Sequence, residues 1–144
     1  MMNMKRSVMI ALAAAALLAG GGTYAYMEYS RGTARADDMP VAQKLSAAEL
    51  LQAFQNDEQA ATKTYVGATE QVVQVSGSIR SMEPVGADKT NVVLETGDQL
   101  AAVVCEFDNK ELPIDWRSGA QVNVKGICTG LLMDVVLVRC VAAQ

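Results

Sequence analysis

Residues 121–141, QVNVKGICTGLLMDVVLVRCV, restrict the fold more than any other stretch of the chain. In the first arm Val122 and Val124 alternate with Asn123 and Lys125. In the second arm, residues 134–141, β-branched and apolar residues follow one another with Arg139 as the interruption. Side chains on a strand point to opposite faces in turn, so the pattern predicts two strands. The Gly-rich turn between them makes the pair a hairpin that closes a β core.

Upstream the same alternation recurs. Residues 70–80 set Val73, Val75 and Gly77 on one parity and Gln74, Ser76 and Ser78 on the other, and the glycine predicts a bulge or sharp bend. Residues 81–90, with Pro84, Gly86 and Asp88-Lys89, predict a loop. A short strand is expected over 91–96, a tight turn at Gly97-Asp98, a third strand over 100–107, and a connection over 109–119, which holds Pro113, Trp116 and Gly119. Ahead of them Ser46 and Glu49 form a capping box, with Leu45 and Leu50 as a hydrophobic staple across it. Ala47, Leu50, Leu51, Phe54, Ala61 and Tyr65 then recur at helical spacing, predicting one helix over 46–64. The class is therefore mainly β: a five-stranded OB-fold Greek-key barrel preceded by an α-helix that plugs its end.

The N-terminus adds a further helix. Between Ser7 and Met27 no charged residue occurs, and 21 residues at 1.5 Å each span a hydrocarbon core of about 30 Å. Lys5-Arg6 precede the run, Tyr24, Tyr26 and Tyr29 sit where an interfacial belt would lie, and Arg31 and Arg35 follow. A cleaved signal peptide is the competing reading, since the densest apolar stretch, residues 8–19, suits a signal core. Its candidate cleavage sites are Thr23-Tyr24-Ala25, a poor one, and Ala34-Arg35-Ala36, a better one placed far beyond the run. Either way the rest of the chain is exported. The expected organisation is a transmembrane anchor or signal segment over 1–29, a flexible linker over 30–44, and the barrel with its leading helix over 45–144. The anchor makes the protein single-pass, with the C-terminal domain facing the periplasm or cell exterior; cleavage would make it secreted.

Composition bounds the chemistry. From Asp37 onward there are 15 acidic and 8 basic residues, a net charge near −7, which repels phosphate backbones. The chain has no His, which removes the commonest general base and zinc ligand. Asp57 and Glu58 are adjacent on the expected helix, so their side chains diverge and read as a solvated face rather than a metal site. No catalytic residue, cofactor or metal site is expected.

At this point the residues carry a resemblance. Residues 45–65, LSAAELLQAFQNDEQAATKTY, then Val75-Ser76-Gly77, Cys105-Glu106-Phe107, residues 124–130, VKGICTG, and Asp134-Val135-Val136-Leu137 with Cys140 are similar to the tRNA_anti-like family of bacterial OB-fold proteins, many of which have one N-terminal membrane anchor. The resemblance covers about 45–141. It implies the fold and an envelope location, and little about activity.

Three cysteines leave at least one unpaired within the chain. With Glu106 outward, Val103, Cys105 and Phe107 face inward. With Arg139 outward, Val136, Val138 and Cys140 face inward. The third and fifth barrel strands lie side by side, so a Cys105–Cys140 disulfide with Cys128 free is expected in an oxidising compartment, against the alternative of three buried thiols. The candidate binding surface comprises Leu131, Leu132 and Met133, apolar residues in a turn that pack on the barrel end or meet a partner, and Trp116, a lone aromatic that caps an open barrel end or serves as a ligand platform. Packing is the expected fate of the Leu-Leu-Met turn. The functional expectation is a membrane-tethered envelope module that binds a protein or small ligand. The alternative is single-stranded nucleic acid, disfavoured because the second and third strands offer Glu95, Asp98 and Glu106 and one inward aromatic.

Overall fold

The computed structural model describes residues 2–30 and 36–144. They form two units, Met1–Ala34 and Arg35–Gln144. The first is one helix, α1 (Met2–Ser30), of which Ser7–Met27 is 21 residues long with a mean hydropathy of 1.7, long and apolar enough to cross a membrane. Tyr24 and Tyr26 are exposed on it. Arg31, Arg35 and most of the Ala34-Arg35-Ala36 site lie outside the described residues.

The second unit is built on six strands: β1 (Val41–Ser46), β2 (Val72–Val85), β3 (Lys89–Leu94), β4 (Val103–Asp108), β5 (Gln121–Leu131) and β6 (Val135–Ala142). Strands β2 to β6 follow the order β2-β3-β4-β6-β5, and β5 pairs back onto β2, which closes a five-stranded barrel. The pairing is antiparallel throughout except for β4 beside β6. This is the OB-type arrangement.

Two segments differ from the sequence expectation. Residues 81–85, expected as loop, continue β2, which pairs with β3 as far as Val85↔Lys89. Pro84 is tolerated because β2 is hydrogen-bonded on one side only here: its pairing with β5 ends at Ser78. The second half of the expected linker is not a tether. A 3₁₀ turn over Ala36–Asp38 leads into β1, which pairs with β2 in parallel. Ala36 is fully buried and forms, with Val72, Ile127 and Val141, a small core on the outside of the barrel, packed by Met39, Val41 and Val138. The strand was hidden in the sequence because residues 42–44 of VAQKLS are all exposed, leaving no alternation to read.

The leading helix is broken. α2 (Ala47–Asn56) carries the expected capping box, Glu49 N–H to Ser46 Oγ at 3.1 Å and Ser46 N–H to Glu49 Oε2 at 2.7 Å. It ends at Asp57, whose backbone is extended. The Asp57 carboxylate accepts from Ala60 N–H and starts α3 (Glu58–Ala61), followed by a π-helical turn over Thr62–Val66. An Asp that bonds the backbone three residues on competes with helix continuation, which explains the break. Ala47, Leu50, Leu51, Phe54 and Ala61 are buried in the same core as Val73, Val75, Val103, Cys105, Phe107, Val124 and Leu137, so the helical segment closes the barrel as expected. Gly77 permits this: a Cβ there would stand 3.3 Å from Ala47 Cβ.

A candidate binding rim at one end of the barrel

The turn joining β5 to β6 and the loop joining β3 to β4 meet at one end of the barrel, because β4 and β6 start side by side at Val103↔Val135. Two hydrogen bonds clamp them. Ala102 N–H donates to Asp134 Oδ1 at 2.8 Å, and Val135 N–H donates to the Ala102 carbonyl at 3.1 Å. The β3–β4 loop is itself cross-braced. Asp98 Oδ1 accepts from Leu100 N–H at 2.7 Å and from Ala101 N–H at 3.1 Å, Asp98 Oδ2 accepts from Gln55 Nε2 of α2 at 3.2 Å, and Thr96 Oγ1 donates to the Ala101 carbonyl. These bonds, led by the one from Leu100, hold the Asp98 carboxyl below its usual range, so it stays ionised in neutral solution.

On this braced frame three apolar side chains stand in solvent. Leu100 is 90 % exposed, Leu132 89 % and Met133 83 %. The expectation that the Leu-Leu-Met turn packs holds for Leu131 alone, which lies against the core together with Val66 and Tyr65 of the π turn. Leu132 and Met133 are carried past that cover by the turn, in which Leu132 N–H donates to the Asp134 carbonyl at 3.1 Å. Leu100 was missed because it reads as the first residue of the third strand; the strand begins at Val103, and the Asp98 bonds hold residues 98–101 as a loop. Its sequence signal is the Gly97-Asp98 turn signature two residues before it.

Trp116 does not belong to this rim. It follows the far end of β4, half-buried, and its ring meets Phe107 edge-on at 5.5 Å between centroids. Phe107 is fully buried, so Trp116 caps the opposite end of the strand. The four residues expected as one binding surface therefore divide into a core residue, an end cap and two exposed pins.

The face of β3 and β4, where barrels of this type commonly bind ligands, is neutralised. Lys89 Nζ donates to Glu106 Oε1 at 2.6 Å, and this bond raises the Lys89 pKa above its ordinary value. Arg80 forks onto Glu95, Nε to Oε1 at 2.8 Å and Nη2 to Oε2 at 3.0 Å, and donates to the Asp98 carbonyl at 2.8 Å. Arg139 pairs with Glu70. Among the described residues of the barrel unit, no Phe, Tyr or Trp is among the exposed large apolar side chains.

All three cysteines are buried free thiols. Cys105 and Cys140 are near neighbours, as the strand order requires, close enough for Cys105 to raise the Cys140 pKa. The inward set of β6 is Val135, Leu137 and Cys140; Val136 and Val138, expected inside, face outward. The reason is a bulge. Arg139 and Cys140 together oppose Gly126, and Arg139 takes φ 52°, which switches the parity of the strand.

The sequence matches the tRNA_anti-like family over residues 1–142. The chain belongs to the tRNA_anti-like family. No curated protein matches it. Among solved structures, the tRNA_anti-like chain is similar to a "putative nucleic acid-binding lipoprotein" from Klebsiella pneumoniae subsp. pneumoniae, at 15 % identity and a TM-score of 0.55, over 69 % of this chain and 91 % of that one. It is also similar to a chain of the yeast Stn1 and Ten1 structure, at 10 % identity and a TM-score of 0.45, over 72 % of this chain and 63 % of that one. The likeness to the Klebsiella protein establishes a shared fold.

Proposed function

We propose that this tRNA_anti-like protein is a binding module without catalytic activity, held by α1 in a membrane with its barrel on the envelope side, and that the rim of Leu100, Leu132 and Met133 binds a protein. The observation that carries the reading is the exposure of those three side chains on two loops cross-braced by hydrogen bonds from Leu100, Ala101, Ala102 and Leu132. Flexible loops can fold apolar tips away from water; these two are pinned to each other and to α2, and keep their tips out. Exposed apolar clusters of this kind mark interaction sites. The competing reading, single-stranded nucleic acid, needs stacking platforms and free cations along a groove. Arg80, Lys89 and Arg139 are instead paired with carboxylates.

The test is a photo-crosslinking amino acid at Leu132 in the full-length protein in intact cells, with one at exposed Ser118 as control. A discrete protein adduct specific to Leu132 supports the reading. Recovery of nucleic acid alone overturns it.

A further inference from the structure

The pins of the rim have acidic neighbours, Asp98 beside Leu100 and Asp134 beside Met133. Arg80 donates to the Glu95 carboxylate and to the Asp98 carbonyl, and Asp98 and Asp134 bond the backbone of the two loops that carry the pins, so the three acids and Arg80 gather at the rim, where Glu95 and then Asp134 and Asp98 raise the Arg80 pKa. Asp98 and Asp134 also hold the two loops through Leu100, Ala101 and Ala102, which fixes their carboxylates next to Leu100 and Met133. Three carboxylates against one guanidinium leave a net negative border around an apolar centre. Arg80 is already committed to Glu95 and to the Asp98 carbonyl.

We infer that the partner surface seated on this rim is an apolar pocket bordered by lysine or arginine side chains. The inference rests on the protein-binding reading and names the chemistry of its occupant. The border decides between occupants that apolar pins alone would admit. A lipid surface presents phosphates to whatever inserts into it, and a nucleic acid presents phosphates along its length; both are repelled by Glu95, Asp98 and Asp134. A second copy of this rim would bring like charges together. A protein pocket with a basic border is attracted, oriented by the border and filled by the pins, and complementarity of this kind governs encounter and register.

The experiment keeps the full-length chain in intact cells with the crosslinker at Leu132, and maps the position on the captured protein by mass spectrometry of the crosslinked peptides. Lysines or arginines flanking the captured pocket are the expected result. A parallel variant combines Asp98→Asn with Asp134→Asn. Asn keeps the Oδ1 acceptor that the backbone N–H groups of each loop use and removes the charge; at position 98 it turns the Oδ2 acceptor of Gln55 into an amide donor, which Gln55 meets by presenting its Oε1, so the rim retains its shape. Adduct yield falls at least fivefold in this variant, while Asp88→Asn with Asp108→Asn, exposed acids elsewhere, leaves it unchanged. A captured surface without basic residues, or an undiminished yield in a variant that melts like the parent, overturns the inference and leaves protein binding standing. Adducts to lipid or nucleic acid alone, or no adduct, overturn both.

Discussion

The residue on which the core most depends for its shape is Gly126. A Cβ there would lie 2.6 Å from Cys140 Sγ and 3.0 Å from Leu137 Cβ, so no side chain fits while the bulge at Arg139 and Cys140 turns the sulfur inward. Gly126→Ala is expected to cost about 1–3 kcal/mol by overpacking. Cys140→Ala vacates the same space, and the double variant is expected to be more stable than the sum of the singles by roughly 1 kcal/mol or more, measured from denaturant midpoints. The inward placement of Cys105 and Cys140 was legible from strand parity. The outward turn of Val136 and Val138 was not, because a bulge on a non-glycine residue has no compositional mark. Burial also sets the thiol chemistry. It pushes the Cys128 pKa up to about 11, and burial, followed by the neighbouring Cys105 thiol, pushes that of Cys140 well above its ordinary value. Only the thiolate alkylates, so at pH 8 the native protein is expected to resist iodoacetamide, with the rate at Cys128 rising about tenfold per pH unit toward 11. In denaturant without reductant, intact mass should show three adducts; a single adduct would reveal a Cys105–Cys140 bridge grown from their existing contact.

Among the elements, those marked by local chemistry were legible and those made by tertiary pairing were not. The capping box at Ser46 and Glu49 appears as written, and Ser46→Ala is expected to cost about 1 kcal/mol of stability, read from a thermal or chemical melt. The helix it begins looked continuous through 64 because Ala61 and Tyr65 keep the period of Phe54. Asp57 breaks it, by offering its carboxylate to Ala60 N–H in place of continued helical pairing. Pro84 and Gly86 signalled a loop, yet β2 runs to Val85 because β3 supplies its partner and only one side of the strand must be satisfied. Leu100 shows the reverse case: apolar and next to a strand, it is held outside by hydrogen bonds that no periodicity encodes.

The whole chain joins an apolar helix to an acidic barrel whose rim carries Leu100, Leu132 and Met133 in solvent, with Ile114 exposed in the connection after β4. The family, the barrel and the helix were legible together because each leaves a pattern longer than a few residues. The rim was only half legible, since it is assembled from two loops more than 30 residues apart that Ala102 and Asp134 bring together. If α1 is an uncleaved anchor, alkaline carbonate extraction leaves the protein in the membrane pellet at its full mass. Release of a species shortened by about 30 residues would establish cleavage instead.

The 3₁₀ turn and β1 give the attachment a mechanical character. A pull arriving through the N-terminus reaches Ala36 in the outer core first and then Val41, where the parallel β1–β2 ladder begins, so it loads β1 before the barrel strands. Three of its six side chains are exposed, and the resistance comes from Val41 in the outer core, Leu45 against the barrel core and the Ser46 cap of α2. The barrel closes through β2 and β5 without β1, and keeps its shape as the strand lets go. Residues 36–46 thus act as a fuse with slack: once released they span up to about 35–40 Å, at 3.3–3.6 Å per residue, and the gain in reach is that span less the distance they already cover. Force spectroscopy on the full chain should register that step as a separate, lower-force event, and the candidate rim would gain reach without losing form.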